Sequence, residues 1–173
     1  MSKVINIELS QKSIQDAIDF LKEYRNQLFD KNELFVKRLT EEIGVPVVEK
    51  RISAAKGDSD KTHYTHVDIR RFQEHSEAVL VVEGKDLLFI EFGAGIHYNG
   101  AAGSSPHPKG EELGYTIGSY GKGKGKQDKW SYIDESGTVK WSHGTQATMP
   151  VYGAWMEMRN NMLRIAREVF ANG

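Results

Sequence analysis

The apolar positions of this 173-residue chain follow two different rhythms, one helical and one strand-like. Ile14, Ile18, Leu21, Leu28, Phe35 and Leu39 recur at intervals of three, four or seven, which is one stripe at helical period. They predict a long helix from about Ser13 to Ile43, with Ser13 as its cap and Asp16 three positions on as a weak capping box. Arg25 and Asn32 occupy the same stripe and weaken it, so a break near Phe29–Lys31 stays open. Gly44 and Pro46 supply the stop. At the other end Val151, Trp155, Met158, Met162, Ile165 and Val169 follow a 4-3-4-3-4 spacing. This predicts an amphipathic C-terminal helix opening at Met149-Pro150, because proline is tolerated in a first helical turn. Trp155 and Met162 lie on its stripe and are read as core.

The chain between the helices reads as strands. Pro46–Ala54 suggests one, and His63–Arg70 follows a polar turn and pairs in the same sheet. Ala78–Val82 and Leu87–Phe92 are apolar runs around the turn Glu83–Asp86 and predict a hairpin. Both are continuously apolar, which places them centrally, covered on both faces. Lys129–Ile133 and Thr138–Ser142 predict a second hairpin, carrying Trp130, Tyr132, Val139 and Trp141. Val4–Leu9 alternates weakly and is a short strand or an arm. The expectation is an α+β fold: a mostly antiparallel sheet with a long N-terminal helix and a C-terminal amphipathic helix. The length fits a single domain, 1–173.

One stretch fits neither rhythm. Glu91–Trp130 holds more than half of the 17 glycines, and within it residues 96–128 form an extended glycine-rich loop or arm. Long irregular segments inside compact domains are usually binding loops, assembly arms or disorder. Gly93 and Gly95 follow the strongest apolar run and serve as a strand exit. Glu91 sits inside that run, where an unpaired charge is costly. It therefore faces outward, has a partner, or is a ligand-facing or interface carboxylate.

Composition narrows the chemistry. There is no cysteine, which excludes disulfides and sulfur-ligated metals. A net charge of −1, from 23 basic and 24 acidic residues, argues against a general nucleic-acid coat. No apolar run approaches the length that spans a bilayer, and the N-terminus lacks a secretion signal. Gly118–Lys124 has the glycine and lysine spacing of a phosphate loop. Gly125 stands where the magnesium-binding hydroxyl belongs, and neither a strand nor a helix flanks it. Lys122, Lys124, Lys126 and Lys129 face only Asp128, so this end of the loop is locally basic and suits phosphate-backbone contact without base reading. Tyr115 and Tyr120 punctuate it. His63-x-x-His66 has no metal-site spacing, while His97, His107 and Glu91 are free to converge. No nucleophile elbow is present. The expectation is no catalytic residue, no cofactor and no metal.

Four segments together carry a resemblance: LFIEFGAG at 88–95, HPKG at 107–110, GYTIGSYGKGK at 114–124 and HGTQATMP at 143–150, the last followed by a helix with Met158-Arg159. They resemble the minor tail-component, or tail-completion, family of tailed bacteriophages and prophages. Family members usually carry Thr or Ser where Ala94 stands. The resemblance covers roughly Ile5 to Phe170. It implies a non-enzymatic α+β subunit of the phage neck or tail, closing into a ring at the head–tail junction or tail end. The implied partners are further copies of itself, other neck or tail proteins, and DNA in the channel through non-specific contact. No membrane is involved. The implied location is the virion, after assembly in the host cytoplasm. Tyr115, Tyr120, Lys122, Lys124, Lys126 and Lys129 are the candidate interface or channel loop, and Glu91, Gly93 and Gly95 the strand exit. The alternative is a small nucleic-acid-binding or regulatory module of phage origin, and after that a hydrolase.

Overall fold

The computed structural model describes residues 8–73, 75–94, 105–110, 112–114 and 129–171. Residues 4–7, most of the 96–128 segment and Gly95 lie outside them. The elements run α1 (Gln11–Arg38), a π-helical segment (Leu39–Gly44), α2 (Val45–Ala54), β1 (Tyr64–Arg71), β2 (Ser76–Glu83), α3 (Leu87–Phe92), β3 (Trp130–Ile133), β4 (Val139–Ser142) and α4 (Pro150–Ala171).

This corrects the expected fold class. The described chain is mostly helical, with 53% helix against 19% strand. Its strands form two separate two-stranded hairpins, β1–β2 and β3–β4, both antiparallel. Among the described residues no mostly antiparallel sheet supports the helices.

Two local events explain the difference. Gly44 and Pro46 do not stop the first helix. The backbone stays right-handed helical through Leu39, Gly44 and Val45, and the π-helical segment takes up the irregularity, with the Val45 N–H bonding back to the Thr40 carbonyl. Proline lacks an N–H and crowds the preceding turn, and a π-bulge is a known way to insert such a break without ending the helix. Pro46–Ala54 is therefore helix α2, not a strand. Gly44 has a packing role instead: a Cβ there would lie 2.9 Å from Met158 Sδ and 3.2 Å from Leu80 Cδ2.

The second event is at Leu87–Phe92. It is helix α3, not the partner of β2. A short continuous apolar run does not distinguish a buried strand from a buried helix turn. The Asp86 carbonyl accepts from the N–H groups of Phe89 and Ile90, which winds the run into a helix. β2 pairs with β1 instead, from Tyr64↔Glu83 to Arg71↔Ser76. The second hairpin forms close to where it was expected, from Trp130↔Ser142 to Ile133↔Val139.

The core is Val48 and Ile52 of α2, Ala55, Ile90 of α3 and Ala154 of α4, flanked by Val47, Leu80, Val82 and Leu87. On α4 the buried face runs through Pro150, Gly153, Ala154, Ile165 and Val169. It is rotated from the expected stripe, so Trp155 and Met162 are exposed rather than core. Arg51 sets part of this geometry. Its guanidinium crosses Gly153, where a Cβ would lie 2.2 Å from Nε, and donates to the Thr148 carbonyl at 2.7 Å. Arg38 joins the far ends of α1 and α4, reaching Glu168 at 2.8 Å while also holding Glu42 at 2.7 Å.

His63 links α2 to the start of β1. Its Nδ1 lies 2.6 Å from the Lys61 carbonyl and its Nε2 2.8 Å from Glu49 Oε2. Both nitrogens face acceptors, which favours the imidazolium. The Lys61 carbonyl and then Glu49 raise its pKa above the ordinary 6.5, against burial. A raised folded pKa gives stability that is full below the unfolded value and lost as pH rises through the folded one. Urea midpoints of the native chain should therefore decline as pH climbs from 6.5 through that higher value. A His63→Gln chain should lack this part of the decline, and identical pH profiles would remove the assigned role.

Candidate functional site

α4 begins without a local cap. The residue before it is Met149, whose φ of 51° is left-handed and whose side chain offers no oxygen to the helix N–H groups. Pro150 has no N–H. The next two donors, Val151 and Tyr152, need acceptors. Glu91 supplies them from 60 residues upstream. Its Oε2 accepts from Val151 N–H at 2.8 Å and its Oε1 from Tyr152 N–H at 2.9 Å. The Gly153 N–H bonds the Met149 carbonyl at 2.8 Å, so the first turn is fully satisfied. A carboxylate here also complements the positive end of the helix dipole.

His107 completes the arrangement. Its Nε2 is 3.1 Å from Glu91 Oε1, and its Nδ1 accepts from the Lys109 backbone N–H at 3.0 Å. That second bond fixes the tautomer. Nδ1 carries no proton, so Nε2–H donates to Glu91. The side chains of His107 and Glu91 are only 5% and 9% exposed. The imidazole is walled by Phe92, with ring centres 4.4 Å apart, and by Tyr152 at 5.1 Å. Ser105 Oγ donates to the Phe92 carbonyl at 2.5 Å and accepts from the His107 N–H at 3.2 Å. Gly93, with φ of 82°, ends α3 and turns the chain away.

A third strand of connections passes alongside. Thr145 is buried and exchanges both backbone hydrogen bonds with Ala94, at 2.9 and 3.1 Å. The Thr148 N–H reaches the Ile90 carbonyl at 2.9 Å, and the Gln146 N–H the Lys56 carbonyl at 2.8 Å. Asp58 accepts from the His143 N–H at 2.5 Å. That backbone bond, ahead of the nearby imidazole, holds the Asp58 carboxyl below its ordinary pKa against partial desolvation. Residues 143–149 are thus a strap laced to α3 on one side and to the α2–β1 connection on the other.

Of the residues singled out from sequence, the structure brings Glu91 and His107 together, and it resolves Glu91 as a buried, partnered carboxylate. Glu91 lies in a helix, so the strand exit is corrected to a helix exit at Gly93. Lys129 is exposed, with Nζ 4.9 Å from the centre of the Trp141 ring. His97, Gly95, Tyr115, Tyr120, Lys122, Lys124 and Lys126 lie outside the described residues. Among the described residues no three His, Asp or Glu side chains gather as a metal site, and no helix is long and apolar enough to cross a membrane. Glu91 Oε1 takes two donors and Oε2 one, while both His107 nitrogens are engaged. The chemistry of this cluster is hydrogen bonding that fastens α3, residues 105–110 and α4 to one another. The capping role was missed from sequence. Its signal was a helix start with proline and no capping side chain, together with an acid stranded in an apolar run.

No protein-family model, curated protein or solved structure matches the chain.

Glu91→Gln keeps the volume but turns an NH₂ group toward donors that need an acceptor, and removes the charge at the helix start. It should cost about 2–3 kcal/mol of unfolding free energy. Glu91→Ala should cost more, about 3–5 kcal/mol. Urea titration followed by circular dichroism measures both, and a near-neutral Glu91→Gln would contradict the cap.

Proposed function

We propose that this chain is a structural assembly subunit of a phage neck or tail that closes into a ring by self-association. Its neighbours are other neck or tail proteins, and its lysine-rich loop makes non-specific contact with DNA in the channel. The phage setting rests on the sequence resemblance. The self-association rests on one observation, the β3–β4 hairpin.

That hairpin pairs, among the described residues, only within itself. Among the described elements it has no substantial packing partner, and the Lys85–Glu135 ion pair at 3.2 Å ties its turn to the β2–α3 turn. By register Ile133, Val139 and Trp141 share one face. All three are between 57% and 71% exposed. A two-stranded ribbon is marginal on its own, and among the described residues neither outer edge pairs with a further strand, the kind of edge that templates pairing with another chain. A neighbouring subunit supplies what the body does not: cover for the apolar face and a partner for an edge. A ring needs two unlike surfaces on each subunit, and a hairpin that docks on a different part of the next copy meets that requirement.

Particle mass measured across concentration tests the reading. The native chain should form a closed oligomer of fixed size. Trp141→Glu with Val139→Lys should weaken association about tenfold or more and leave the helical circular dichroism unchanged. A chain that stays monomeric throughout and binds duplex DNA tightly, with strong salt dependence, would contradict assembly and favour the nucleic-acid-binding module.

A further inference from the structure

The seven-residue spacing along α1 separates two stretches of one seam. Ile14, Leu21, Leu28 and Phe35 lie seven apart, as do Ile18, Arg25, Asn32 and Leu39. Together they make the a and d positions of a heptad repeat. The distal stretch is covered by α4, where Phe35 meets Phe170 at 6.1 Å between ring centres and Arg38 reaches Glu168. The proximal stretch continues the same seam and is left half exposed. Ile14, Ile18, Leu21 and Leu28 are between 40% and 54% exposed. From Gln11 to Leu28 the helix runs about 27 Å at 1.5 Å per residue, and Ala17 is its one buried residue.

Charge selects what fits. The acids Asp16, Asp19, Glu23, Asp30 and Glu33 all fall on the helix face away from the seam. Two of them are spent on the body, where Arg71 holds Asp30 at 2.8 Å and Glu33 at 3.7 Å. Arg25 stands in the seam itself, and Lys22 and Lys31 flank it. Arg25 and Lys31 have no ion-pair partner among the described residues. The seam is apolar and basic, without an acid. A second α1 would bring the same charges to the shared edge: Arg25 against Arg25 in parallel, or Lys22 near Lys22 in the antiparallel arrangement. Like charges at these positions oppose pairing, and opposite charges there set partner choice.

We propose that the exposed seam of α1 pairs with an acidic amphipathic helix of another protein, one with apolar a and d positions and glutamate or aspartate beside them. The inference rests on the assembly reading for the presence of a protein neighbour, but it uses a surface separate from the β3–β4 hairpin.

The test uses the full chain and two synthetic helices of about four heptads, with leucine at a and d. One carries glutamate at the flanking positions and the other lysine. The glutamate helix should bind, weaken with salt, and exceed the lysine helix by about tenfold or more. Arg25→Glu should remove or invert that preference, and Leu21→Asp should abolish binding. Both sites are exposed, and circular dichroism verifies that both variants fold. Equal binding of the two helices, binding of neither, or full binding by Leu21→Asp would overturn the proposal. Capture of anionic lipid vesicles through the same residues, without helix binding, would also overturn it in favour of a membrane surface. The Trp141→Glu, Val139→Lys chain separates the two claims. It should lose self-association and keep the glutamate helix, so a failure of either claim is visible without the other.

Discussion

The structure depends on where one buried carboxylate spends its lone pairs. Glu91 is placed in the core by the apolar residues around it, and an unpartnered charge there would cost several kcal/mol. It meets three donors from two distant parts of the chain: the first two N–H groups of α4 and the imidazole of His107. The exchange is mutual. The acid is stabilised by the start of a helix, and the helix, which opens on Met149-Pro150 without a capping side chain, is stabilised by the acid. Because the donors lie far along the sequence, the same atoms that neutralise the charge also fix the tertiary arrangement.

That clamp divides the molecule into a fixed body and its peripheral surfaces. Gly93 ends α3, Ala94 pairs with Thr145, and residues 105–110 are fastened to the body through Ser105 and His107. The strap at 143–149 is laced to both α3 and the α2–β1 connection. Most polar groups in this region hold segments together, the buried Thr148 hydroxyl being an exception. Two exposed apolar surfaces among the described residues lie elsewhere, on the proximal half of α1 and on the β3–β4 hairpin. In the proposed assembly role the clamp makes the body rigid, and the two outlying surfaces meet other chains.

Legibility in the sequence followed the length and regularity of each pattern. α1 and α4 were readable because several turns of periodic apolar residues outweigh local exceptions such as Arg25. The face of α4 was less so, since the residue that decides it, Gly153, is chosen for the Arg51 guanidinium that crosses it. α2 was misread because Gly44 and Pro46 are ordinary stop signals, and only tertiary packing against Met158 and Leu80 makes a π-helical continuation favourable. The first hairpin was half legible. β2 stood out, but Leu87–Phe92 is too short and too uniformly apolar for its period to be read, and its true state is set by the Asp86 carbonyl and by burial. At the site, Glu91 was conspicuous as an acid out of place and His107 as a group free to converge on it. Their link to the start of α4 was invisible, because a cap 60 residues away leaves no local motif.

The claim that this clamp organises the fold is tested most directly by a double-mutant cycle on Glu91 and His107, read by urea unfolding with Glu91→Gln, His107→Ala and the pair. A shared cluster predicts a coupling of about 1–3 kcal/mol, with the double variant losing clearly less than the sum of the single losses. Losses that add to within about 0.5 kcal/mol would mean that the two groups act independently, and would contradict the account.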